Sequence, residues 1–201
     1  MGRIGRKFFQ RYTPTVAKEL IGSLLVRRID GETLSGVIVE TEAYRGREDP
    51  ASHAYRGKTP RNEVMFGPPG HAYVYFTMGM HYCLNVTTEP VGNAAAVLLR
   101  AIEPAKGMGL MSKNRGIADV QRLASGPGNL TKAMAIDRSL NGEDLVTSDR
   151  LFLESGRPEA SILATSRVGV SAGRSNPWRF FLEGSRFVSR ARPAAAPRTH
   201  N

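Results

Sequence analysis

The amino-acid sequence predicts one mixed α/β domain, of the α+β kind, organised around a largely antiparallel sheet. Three observations lead there. Aromatic and β-branched runs are joined by short turns at Asp30-Gly31 and Gly79-Met80, which is the pattern of hairpins and not of long crossovers. Helical periodicity is confined to short segments, one near the N-terminus and others between residues 105 and 136. No internal repeat and no linker divides the chain, so residues 1–190 read as a single domain.

Taken in order, Thr13-Pro14-Thr15 followed by Val16, Ala17, Leu20 and Ile21 predicts a short amphipathic helix, with Pro14 in its first turn and Gly22 as a left-handed stop. Leu24–Ile29 and Leu34–Tyr44 read as two strands of a hairpin. Residues 45–70 are rich in Gly, Pro and charge and read as a long loop, of a length that is usually either functional or disordered. His71–Met78 and His81–Thr88 make a second hairpin, and Ala94–Ile102 is a buried strand that Pro104 should end. Two helices are expected near Ile117–Ala124 and Leu130–Ile136, separated by Ser125-Gly126-Pro127-Gly128. Short strands should follow at Leu151–Glu154, near Arg167–Val170 and at Arg179–Glu183. The tail 191–201, with its Pro and Ala, has too little apolar content to pack and reads as disordered.

Composition narrows the function. Hydrophobic residues make up 41% of the 201, and no apolar run approaches the roughly 20 residues of a bilayer span, so no membrane partner is expected. The N-terminus lacks the apolar stretch of a secretory signal, and the lone Cys83 suits a reducing compartment. The expected location is the cytoplasm, at the nucleoid in a bacterium. A net charge of +10 points to polyanions: residues 1–28 carry seven Lys and Arg against Glu19 alone, and from Arg174 onward Glu183 is the only acid.

The segment Gly36–Tyr44 carries the chemistry. Strict alternation puts Val37, Val39, Thr41 and Ala43 on one face and Glu40, Glu42 and Tyr44 on the other. An E-x-E pair is commonly a solvated face, but in a strongly basic chain such acids would repel DNA unless they had a task. Two carboxylates beside an aromatic ring are how a strand builds a general base next to a stacking surface. Tyr73 and Tyr75, which alone would be core, then become walls of a slot for a flat base. His53, His71, His81 and His200 do not fall at metal-ligand spacings, and Cys83 has no partner. Walker, Rossmann and G-x-S-x-G motifs are missing.

Several blocks in order closely resemble the alkyladenine (3-methyladenine) DNA glycosylases of the animal, plant and bacterial type. They are Val39–Tyr44, Thr59–Asn62, Ala72–Tyr75, Gly79–Asn85, Leu98–Pro104, Ser125–Pro127 and Arg167–Val170. The resemblance implies a compact domain with a curved antiparallel sheet surrounded by helices, and a monomeric, monofunctional enzyme without metal or redox cofactor. Its substrate would be double-stranded DNA containing damaged purines, such as 3-methyladenine or hypoxanthine. Glu42 matches the family's general base, and Arg100 and the Val168 carbonyl match the groups that place the attacking water. Tyr44, His53 and Tyr75 match residues that line and stack on the flipped base, and Asn85 the one that crowds the 2-amino group of guanine. Arg61, Asn62, Met65, Tyr73 and Met78 fall where DNA is contacted. Met78 occupies the hairpin tip, where the best-known members carry a Tyr wedge. Glu40 is expected to be structural, paired to an arginine.

Two other functions fit parts of the pattern. A non-catalytic nucleic-acid-binding protein on the same scaffold would explain the charge and the rings, but not an acid at position 42. A sugar hydrolase using Glu40 and Glu42 as its acid pair has the required spacing, roughly 6–7 Å along the strand, but the charge disfavours a neutral glycan.

Overall fold

The computed structural model describes residues 2–189, so the tail expected over 191–201 lies outside them. Two short helices, α1 (Arg6–Phe9) and α2 (Thr13–Glu19), precede strands β1 (Leu24–Ile29) and β2 (Glu32–Arg45). The long loop follows, with a 3-10 turn at Glu63–Phe66, and then β3 (Ala72–Thr77), β4 (His81–Thr87) and β5 (Ala95–Lys106). Helices α3 (Met108–Arg115), α4 (Val120–Leu123) and α5 (Pro127–Ala133) lead to β6 (Leu151–Glu154), β7 (Ile162–Thr165) and β8 (Arg179–Leu182).

All strand pairs are antiparallel, in the order β3-β4-β5-β2-β1-β6, and the sheet curls into a half-barrel. The 14-residue β2 is the spine. Along one edge it pairs with β5; along the other, β1 covers residues 32–37 and β8 takes over at 40–42. The main core lies between the sheet and the helices, where Val16 and Ala17 of α2, with Leu20 and Ile21 just after it, join Ile38 and Ile102, and Leu130 of α5 joins Leu84 and Leu99. Each fully buried aliphatic side chain of this kind contributes about 1.5–3 kcal/mol of transfer free energy. A second, smaller cluster of Ala54, Met65, Tyr73, Ala94 and Ala96 lies under the long loop.

Turn chemistry explains the hairpins. Asp30 and Gly31 both have positive φ (49° and 79°), as a two-residue type I′ connection requires. At the β3–β4 tip Met78 (φ 52°) and Gly79 (φ 70°) do the same, closed by Met80 N–H donating to the Thr77 carbonyl. Gly22, after α2, is obligatory: a Cβ there would lie 2.4 Å from the Pro158 nitrogen.

Four expectations need correction. Pro104 does not end β5, because it sits at a register shift opposite Gly36 where its missing N–H is tolerated, and the strand continues to Lys106. Residues 105–136 hold three helices, the unforeseen one being α3, whose fully buried Met111 docks on the core although Gly107 and Gly116 bracket it. The helix expected from Leu130 begins at Pro127, in what looked like a separator. Arg167–Val170 is not a strand: Gly169 has φ 73°, the neighbouring strand is β7, and the Arg167 side chain and Val168 N–H are engaged elsewhere.

Candidate active site

The acidic segment of β2 is shaped by two compensating bulges. Ile38 pairs with Ile102, Glu40 with Ala101 and Thr41 with Leu99, which leaves Val39 on one strand and Arg100 on the other without partners. The alternation expected through Val37 and Val39 is therefore interrupted. Ile38, not Val39, shares the main core with Ala43, and Thr41 Oγ1 donates to the Ala17 carbonyl of α2 at 2.8 Å. Glu40, Glu42 and Tyr44 share the other side as predicted, and the bulged Arg100 reaches both acids.

The two carboxylates, both fully buried, differ in their partners. Glu40 accepts from Arg100 Nε (2.8 Å), Arg179 Nε (2.7 Å), Ser189 N–H (2.7 Å) and Ser189 Oγ (2.9 Å). Burial works against its charge, but Arg100, Ser189 and Arg179 outweigh it and hold the carboxyl below its ordinary range. Both of its oxygens are engaged by these donors and it lines none of the cavities described, which argues against a sugar hydrolase that uses Glu40 as one of its acid pair. Glu40 is the structural, arginine-paired acid that was expected.

Glu42 has lighter partners. Oε1 accepts from Val168 N–H at 2.7 Å, while Oε2 accepts from the Tyr44 hydroxyl at 2.7 Å and Arg100 Nη1 at 3.3 Å. Burial and the Glu42 anion push the Tyr44 phenol well above its ordinary value, so it stays a donor. The backbone group of Val168 that touches Glu42 is thus its N–H; the carbonyl accepts no hydrogen bond among the described residues.

Beside this acid lies a cavity of about 130 Å³, walled by Tyr44, His53, Tyr75, Met65, Asn85 and residues 168–170. Glu42 does not border it, but Tyr44 and Val168, which hold its two oxygens, do. The His53 and Tyr75 rings are 4.5 Å apart and steeply inclined at 74°, and Tyr73 lies 5.2 Å from Tyr75. His53 sits at the rim with its Nδ1 2.9 Å from the Tyr73 hydroxyl. Desolvation, with the nearby Arg61 cation, holds the imidazole below its ordinary value, and burial raises Tyr73 to about 12. A larger open groove of about 1030 Å³ runs between the N-terminal helices and Ser155–Pro158, lined by neither Glu40 nor Glu42.

Among the residues expected to face DNA, Met78 stands at the hairpin tip, 83% exposed. Arg61 is exposed too, with Nη2 donating to the Phe76 carbonyl at 3.1 Å. Asn62, Met65 and Tyr73 are buried, and a duplex has no surface of theirs to meet. Met65 and Tyr73 belong to the cavity wall. Asn62 binds the loop internally, its Nδ2 donating to the His53 and Gly57 carbonyls and its Oδ1 accepting from Thr59 N–H. Asn85 borders the cavity and donates to the Tyr73 carbonyl.

Sequence reasoning did not find Arg167, Asp49, Arg179 or Ser189. The first two form a buried ion pair across 118 residues, a separation that no local pattern reveals.

Comparison with known proteins identifies the family. Residues 7–186 match the methylpurine-DNA glycosylase family. A protein of Carboxydothermus hydrogenoformans is 52% identical over 92% of this chain and 97% of its own length. Relatives from Desulfitobacterium hafniense (48%, covering 94% and 99%) and Methanoculleus marisnigri (50%, covering 91% and 96%) are similar throughout. All three carry the name "Putative 3-methyladenine DNA glycosylase". The chain belongs to the methylpurine-DNA glycosylase family and is a DNA glycosylase.

Proposed function

We propose that the protein extrudes a damaged purine, such as 3-methyladenine or hypoxanthine, from duplex DNA and hydrolyses its N-glycosidic bond. The base enters the cavity between Tyr44, His53 and Tyr75, where stacking contributes roughly 1–3 kcal/mol toward the cost of unstacking it from the helix. Glu42 holds a water and takes its proton as the oxygen bonds to the sugar C1′. The C1′–N bond breaks with its electron pair going to the purine, and an abasic site remains. The sugar is oxocarbenium-like in the transition state, so the carboxylate also stabilises its positive charge.

The observation that carries this reading is the placement of Glu42: a buried carboxylate whose two oxygens are held by Tyr44 and Val168, themselves cavity walls. Arg100 bridges Glu40 and Glu42 and orients the acting carboxylate. The unengaged Val168 carbonyl supplies a second acceptor for the water. Met78, exposed and in a left-handed conformation that costs a non-glycine residue about 1–2 kcal/mol, is the wedge that fills the gap in the helix. The names of the relatives support 3-methyladenine as a substrate. Among the described residues no helix is long and apolar enough to cross a membrane. The enzyme works as a cytoplasmic monomer on this reading. Incubation with methylated duplex should release free purine and leave alkali-sensitive abasic sites; intact methylated DNA after prolonged incubation would contradict it.

A further inference from the structure

Arg167 contacts, or adjoins, every group that holds Glu42 on the cavity side. Its guanidinium carbon lies 4.6 Å from the centre of the Tyr44 ring, whose hydroxyl donates to Glu42 Oε2. Its neighbour in the chain, Val168, supplies the N–H to Oε1. Its Nη1 donates to the Ala43 carbonyl at 2.9 Å, on the backbone between Glu42 and Tyr44. Arg167 makes no hydrogen bond to Glu42 itself.

The side chain is fully buried and is gripped by Asp49, with Nη1 to Oδ2 at 2.5 Å and Nη2 to Oδ1 at 2.7 Å. Nη2 also donates to the Gly173 carbonyl, and Nε is buried without a partner. Such a pair is weak as a stabilising device, because desolvating both ions offsets most of their attraction and an orphaned N–H adds to the cost. Its geometry does something else. Asp49 fastens the loop that carries Ala51 and His53, accepting from Arg45 N–H and Ala51 N–H. Arg167 fastens the loop that carries Val168, Gly169 and Val170, so the pair joins two walls of the base cavity.

We propose that Arg167, clasped by Asp49, is a positioning residue for base excision, fixing the Tyr44 and Val168 donors that orient Glu42. This rests on the reading of Glu42 as the general base. Lysine at 167 keeps the charge but loses the planar fork and the stack on Tyr44. Asparagine at 49 keeps the shape and one acceptor but removes the anion.

The test compares the single-turnover rate of 3-methyladenine release with the Kd for a duplex carrying an uncleavable abasic analogue. Arg167→Lys should lower the rate by about 100-fold and Asp49→Asn by about 10-fold, with each Kd within about threefold of the parent. A merely structural role would lower the unfolding temperature and leave the rate of the folded fraction unchanged. A parental rate in either folded variant, or a weakened Kd in place of a slowed step, overturns the proposal. Where Arg167→Lys does not fold, Asp49→Asn decides alone. Glu42→Gln in parallel separates the two claims. If it is inactive while the clasp variants keep the parental rate, only the clasp is wrong; if it is fully active, the base assignment falls and the clasp with it.

Discussion

At Glu42 the two oxygens are held from different parts of the chain, Oε2 by the next-but-one residue of the same strand and Oε1 by a backbone N–H 126 residues away. Around the cavity the other titratable groups are biased away from proton donation at neutral pH. His53 is held below its ordinary value, and Tyr73 and Tyr75 are raised by burial. A purine that is already cationic needs no proton to leave, whereas a neutral purine must acquire one. With His53, Tyr73 and Tyr75 all shifted away from donation, solvent is the proposed source of that proton. Single-turnover release of hypoxanthine should therefore fall as pH rises between about 6 and 9, while release of 3-methyladenine stays nearly level. Parallel rate profiles for the two lesions would point to an acid in the cavity.

At the scale of elements, β2 decides the arrangement, and it also marks how far local pattern reaches. The hairpins were legible because Asp30-Gly31 and the 78–80 tip must adopt positive φ, a demand written in the turn residues themselves. The shared side of Glu40, Glu42 and Tyr44 was legible from period two. The paired bulges at Val39 and Arg100 were not, because alternation carries no mark of an unpaired residue. The same blindness made Val168-Gly169-Val170 look like a strand, although the Val168 N–H is committed to Glu42. Helix α3 was hidden by its flanking glycines, and only tertiary burial of Met111 reveals why it forms. The bulge presents Arg100 to Glu40 and β8 presents Arg179, so Glu40 locks the strand junction. Glu40→Gln leaves two buried guanidinium groups short of their anion and should destabilise the fold by about 3–5 kcal/mol in denaturant unfolding. The folded-state pKa of Glu40 is lowered, so its contribution is complete above the ordinary value of 4.5 and is lost as pH falls through the lower folded value. An unfolding midpoint in Glu40→Gln equal to the parent's would refute this role.

Across the whole molecule, a charge of +10 is carried by a protein whose buried acids are engaged with arginines, which leaves a cationic exterior. Arg61 is exposed on the loop that carries His53, and we propose that it meets phosphate. Arg61→Gln should weaken binding to all duplexes alike and flatten the slope of log K against log salt by about 0.9, the counterion released by one phosphate contact. An unchanged slope would remove Arg61 from the interface. The fold, the charge and the cavity matter to the reaction only if the carboxylate at position 42 performs the hydrolysis. The most direct measurement is single-turnover purine release by Glu42→Gln on a 3-methyladenine duplex, beside its affinity for the same DNA. If Glu42 is the base, the rate falls by at least about 100-fold with affinity retained. Release at the parental rate would contradict that assignment.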